Sequence, residues 1–126
     1  MTRRPLESLT HLQAFSTMLA HDDDAKALNT RDLQIIALLV AHNAPLTVGA
    51  ISTLMSLSSQ QVSRLTRKLC ERGFLARRED KNDWRLVLYV PTKAGRALDE
   101  RVRAHFETAG EKARQGEVVS AGRTSA

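Results

Sequence analysis

Apolar residues recur at helical spacing from the start of the chain. Leu6, Leu9, Leu12, Phe15, Met18 and Leu19 mark one face of an amphipathic helix over residues 6–20. The polar run HDDDAK at 21–26 breaks it. Thr30 is placed to cap a second helix, with Asp32 in the first turn, where the helix dipole favours negative charge. Its body, LQIIALLVA at 33–41, is apolar on nearly every side and reads as the central buried helix, ended by Asn43 and Pro45. Thr47 caps a short third helix with Val48, Ile51, Leu54 and Met55 directed inward. Ser56-Leu57-Ser58 makes a turn, and Ser58 caps a fourth helix over 59–72 that Gly73 stops. Residues 74–78 and 85–90 are strand-like and joined by the polar EDKND, which predicts a hairpin. Thr92 caps a last helix with the stripe Ala94, Leu98, Val102, Phe106 and Ala109, and the polar composition from Gly110 onward predicts a frayed or disordered tail over 110–126.

This order is a capped helix-turn-helix followed by a β-hairpin, which predicts a fold that is mainly α with a small β-hairpin: a winged helix. The parts divide as an N-terminal helix and polar break at 1–27, a winged helix-turn-helix domain at 28–92, a C-terminal helix at 93–109 and the tail. The first and last helices each keep an apolar stripe that so small a core leaves partly uncovered, so something is expected to cover them.

Charge sharpens the picture. The 126 residues carry 19 Lys+Arg against 14 Asp+Glu, a net +5, which favours a polyanionic partner. On the fourth helix Val62, Leu65 and Leu69 share the inward face. Opposite them lie Gln60, Arg64, Arg67 and Glu71, flanked by Gln61, Ser63 and Lys68. Hydroxyls and amides in the first turn (Ser59, Gln60, Gln61) give way to cations further along, which suits a helix entering a major groove N-terminus first. At the hairpin, DKNDWRLVLYV sets Arg85 where a narrow, negative minor groove can attract it. Asp83, two residues earlier, falls on the same side if the loop keeps strand-like alternation and can hold the guanidinium. Trp84 then faces the other way.

Other chemistry is sparse. One cysteine, Cys70, excludes an internal disulfide and reads as a small half-buried hydrophobe rather than a redox switch. His21-Asp22-Asp23-Asp24 lacks ligand spacing and reads as a solvated loop, so no metal and no cofactor are expected. No nucleophile–base set, glycine-rich phosphate loop or catalytic carboxylate pair is present, so no enzymatic activity is expected. Met1-Thr2-Arg3-Arg4-Pro5 is followed by no apolar run, which predicts no signal peptide, no membrane partner and a cytoplasmic location.

The segment LTVGAISTLMSLSSQQVSRLTRKLCERGFLARREDKNDWRLVLYVPTKAGRAL (46–98) resembles the MarR-type winged helix-turn-helix transcriptional regulators, and the likeness extends more loosely back to Leu28. Its specific pieces are SRL at 63–65, ERGFLARR at 71–78, Asp83-x-Arg85, and Thr92-x-x-Gly95. The resemblance implies a homodimer on a near-palindromic operator in double-stranded DNA. It places the fourth helix in the major groove and Arg85, supported by Asp83, in the minor groove. It also implies release by a small aromatic effector ligand or by oxidation. The chain departs from the family pattern at Gly49-Ala50, which removes a capping box, at Ser56 in place of a turn glycine, at Arg67 in place of an acid, and at Pro91. The expected function is a sequence-specific DNA-binding regulator acting as a repressor. The alternative is a winged-helix adaptor that docks another protein through Trp84 and Tyr89.

Overall fold

A computed structural model describes residues 5–124, and the side chains of 9–115. Residues 1–4, on which the expectation of no signal peptide rests, and the last two residues lie outside the described part, as does the side chain of Leu6. The elements run α1 (Pro5–Ala20), a short 3-10 turn (Ala25–Ala27), α2 (Thr30–His42), β1 (Leu46–Thr47), α3 (Val48–Met55), α4 (Ser59–Glu71), β2 (Leu75–Glu79), β3 (Val87–Pro91) and α5 (Lys93–Thr124). They fall into two compact units, one of residues 28–99 and one of 1–27 with 100–126.

In the 28–99 unit, each helix starts where a side chain can replace the missing intrahelical partner of a backbone N–H. Asn29, rather than Thr30, caps α2: its side chain accepts from the Asp32 N–H, while Asp32 accepts from the Asn29 N–H. Thr47 caps α3 through the Ala50 N–H alone, as the loss of a capping box at Gly49-Ala50 predicted. Ser58 caps α4 reciprocally with Gln61. The turn between α3 and α4 passes through Ser56 in the left-handed region, at φ 54°. Gly73, at φ 84°, turns the chain out of α4.

The sheet has three antiparallel strands in the order β1-β3-β2, one more than the hairpin read from the sequence. Leu46 pairs with Tyr89 and Thr47 with Leu88, so β3 is central. β2 and β3 pair from Leu75↔Pro91 to Glu79↔Val87. Ile35, Ile36 and Leu39 of α2, Ile51 of α3, Val62 and Leu69 of α4, Phe74, Leu75 and Leu98 form the core. Two inward assignments change. Thr66, not Leu65, completes the buried face of α4, its hydroxyl donating to the Val62 carbonyl, and Leu54 of α3 is exposed. Thr92 joins the sheet to α5: its N–H donates to the Phe74 carbonyl, its hydroxyl donates to the Gly73 carbonyl and accepts from the Gly95 N–H. A Cβ on Gly95 would overlap the Phe74 carbonyl oxygen, so only glycine fits this crossing.

In the other unit, α5 continues through residues 110–124 instead of ending at 109 in a frayed tail. Small residues pack the helix just past 109. Ala109 and Ala113 are buried, and Gly110 lies so close to the His11 ring of α1 that a Cβ would sit 3.1 Å from it. His11 also stacks on Phe106 with ring centroids 4.4 Å apart, and Phe15 meets Phe106 edge-on at 5.2 Å. The acidic run is not simply solvated, as the sequence suggested. One Asp22 carboxylate oxygen accepts from the Asp24 and Ala25 N–H groups, and the other is 3.2 Å from Arg101 and 3.3 Å from His105. Burial pushes this carboxyl up, but the Ala25 N–H, Arg101 and His105 outweigh it and hold its pKa at about 2. Leu9, Leu12 and Phe106 remain 63%, 61% and 50% exposed. No helix among the described residues is long and apolar enough to cross a membrane.

Candidate nucleic-acid interface

α4 is amphipathic to an extreme, with Val62, Thr66 and Leu69 buried and nearly every charge on the other side. Its outer surface brings five of the predicted residues into one open depression: Ser59, Gln60, Ser63, Arg64 and Arg67. Arg64 and Arg67 have no acidic partner among the described residues, so both guanidiniums face solvent with their donors available.

Two further predicted residues are otherwise engaged. Gln61 completes the α4 cap: its Oε1 accepts from the Ser58 N–H at 3.0 Å, which leaves its NH2 as the outward donor. The spacing Ser58-x-x-Gln61 is itself the signature of a reciprocal cap, so this role was available from the sequence. Lys68 turns away from the outer surface. Its Nζ lies 2.6 Å from Oδ2 of Asp32, which is fully buried at the start of α2. The ion pair joins residues 36 apart in sequence, and no local pattern announces it. Asp32 thus serves as cap, first-turn acid and counter-charge at once.

The wing loop spans residues 80–86 between β2 and β3. Arg85 lies in this loop rather than on a strand, and a tight turn, not strand alternation, brings it to Asp83. The Leu86 N–H donates to the Asp83 carbonyl at 3.0 Å, and the Asp80 N–H donates to the Leu86 carbonyl at 3.0 Å. Within that turn, Asp83 Oδ1 accepts from both the backbone N–H and Nε of Arg85, each at 3.1 Å, and Oδ2 accepts from Nη2 at 3.4 Å. One carboxylate therefore fixes the arginine at two points while its side chain stays 73% exposed. Trp84 projects into solvent at 77% exposure.

Cys70 is half-buried at the far end of α4. Burial pushes its thiol up, against the opposing pull of Arg77. That disfavours the reactive thiolate and agrees with a packing role. Among the described residues no three His, Cys, Asp or Glu side chains converge as metal ligands.

A capped helix-turn-helix whose second helix is basic and polar outside, followed by a wing carrying a clamped arginine, defines a winged helix-turn-helix protein. Residues 28–86 match the model of the MarR family. Among solved structures, the chain is similar to the Staphylococcus aureus MepR–DNA complex, with 19% identity, a TM-score of 0.71, and 94% of each chain covered. YusO of Bacillus subtilis matches with 21% identity and a TM-score of 0.68, over 94% of this chain and 91% of that one. Bordetella bronchiseptica BpsR, described as regulated in its DNA binding by 6-hydroxynicotinic acid, matches with 18% identity and a TM-score of 0.63, over 94% and 87%. The comparison with curated proteins returned no match.

Proposed function

We propose that this chain is a sequence-specific, double-stranded DNA-binding transcriptional repressor. In this reading α4 enters the major groove and the wing loop enters the adjacent minor groove. The observation that carries it is the depression of Ser59, Gln60, Ser63, Arg64 and Arg67 on α4, in the same compact unit as the Asp83-held Arg85.

Each part has a task. Gln60 can present an amide to adenine N6 and N7, while Ser59 and Ser63 supply adaptable hydroxyls. Arg64 and Arg67 can fork onto guanine or phosphate. Gln61, with its oxygen held at the cap, offers only its NH2. Ordering a free arginine costs up to ~2 kcal/mol, and the Asp83 clamp meets much of that cost before DNA arrives. Lys68, paired with Asp32, acts by holding α4 against α2 more than by touching DNA.

The exposed Leu9, Leu12 and Phe106 support a homodimer in which a second copy covers this face. A dimer calls for a near-palindromic operator with half-sites about one helical turn apart. A small aromatic effector is the second partner class, supported by the fold shared with BpsR. The exposed Trp84 favours one rival reading, a protein-docking adaptor.

Salt dependence with duplex DNA separates the two readings. The repressor reading expects log K to fall with log [salt] by ~0.9 per phosphate contacted. A flat response, or no duplex binding, would support the adaptor. Selection of sites from random duplexes should then return a palindrome.

A further inference from the structure

We infer that a second cleft, between α2 and α4 and rimmed by Arg31 and Arg64, seats a backbone phosphate diester of the bound duplex. This rests on the DNA-binding reading above and extends the contact surface to α2, from which the sequence nominated no residue. The cleft is a cavity of about 310 Å³ lined by Asn29, Arg31, Gln61, Arg64, Leu65 and Lys68.

Its charge is not what a residue count suggests. Three cations line it, but the Lys68 ammonium is 2.6 Å from the buried Asp32 carboxylate and is neutralised there. Arg31 and Arg64 are exposed, and neither has an acidic partner among the described residues. Arg31 and Arg64 both line this one cleft, and a phosphate can accept paired N–H donors from each guanidinium. The Gln61 amide adds a neutral donor, because its oxygen is held by the Ser58 N–H.

The occupant is a backbone phosphate rather than a base for a positional reason. Arg31 belongs to α2, outside the helix that enters the groove, whereas Arg64 lines both this cleft and the depression facing the bases. A residue on that border lies where the groove wall rises to the sugar–phosphate strand. Contacts of this kind fix register and carry no sequence information directly.

Duplex binding by wild type and Arg31→Gln, followed against salt on the selected operator and on an unrelated duplex, tests this. The expected result is a salt slope smaller by ~0.9 and an equal fold-loss of affinity on both duplexes. A scan replacing single operator phosphates with neutral methylphosphonates should find one position that weakens wild type clearly more than Arg31→Gln, in which only Arg64 still reaches that phosphate. An unchanged slope in Arg31→Gln, with wild type binding normally, overturns the phosphate site while leaving the DNA-binding reading standing. So does a loss confined to the operator. Saturation of Arg31 by inorganic phosphate in side-chain NMR, without a slope change, would make this a free-anion site instead. Failure of wild type to bind any duplex would sink the parent reading, and this inference with it.

Discussion

Asp83 and Asp32 each hold one cation, and the two pairs do opposite work because of where they lie. The Asp83–Arg85 pair is exposed, and such pairs contribute ~0–1 kcal/mol to folding. Its value is in order, since the carboxylate fixes both the backbone N–H and the guanidinium of one residue. Asp83→Asn should therefore leave the unfolding midpoint nearly unchanged yet weaken operator binding several-fold. Equal loss of stability and binding would make Asp83 a folding residue. The Asp32–Lys68 pair is set against a fully buried carboxylate, and removing one partner strands the other. Lys68→Met should cost ~3 kcal/mol in chemical denaturation. Arg67→Ala, on the exposed side of the same helix, should stay within about 0.5 kcal/mol.

Among the elements, the joints matter more than the lengths. Thr92 and Gly95 tie α5 to the end of β2 through the Phe74 carbonyl, and Gly95 fits only because it lacks a Cβ. Gly95→Ala should destabilise by about 1–3 kcal/mol, through a backbone shift that also moves the sheet. Denaturation with a probe on Trp84 would check it, and wild-type stability would argue that the joint is slack. Such joints were partly legible. Ser58, Gly73 and Thr92 announce themselves because caps and left-handed turns are local chemistry. β1 did not, because Leu46-Thr47 becomes a strand only by pairing with Tyr89 and Leu88, far along the chain. The length of α5 was hidden for the opposite reason. Its small residues look like linker composition until His11 is seen packed against Gly110. The polar, basic outer face of α4 was legible from helical projection, whereas the engagement of Lys68 was not, since its partner lies on another helix. Arg31 gave no sign at all: its cleft exists only once α2 and α4 are packed.

On the scale of the molecule, the two compact units rest on different physics. The 28–99 unit has an aliphatic core, while the other combines aromatic contacts and small-residue packing with a charged knot at Asp22. That knot makes a pH signature. The Asp22 pKa is about 2 when folded against an ordinary 3.8, so its contribution is complete above 3.8 and disappears as pH falls through 2. The wild-type excess in thermal midpoint over Asp22→Asn should be constant from neutral pH to about 4 and shrink below it. A constant excess down to pH 2 would mean the carboxylate is not held as described. The exposed Leu9, Leu12 and Phe106 lie in this same unit, so a homodimer formed there should weaken together with it.

The central claim is that α4 and Arg85 work on one duplex in different grooves, and the base-preference profiles of two variants test it most directly. Gln60→Ala should relax preference at one base position per half-site, by ~1–3 kcal/mol. Arg85→Ala should weaken binding broadly, most of all at A·T-rich flanks. If both variants lose the same affinity on every sequence, the division of labour between helix and wing is wrong.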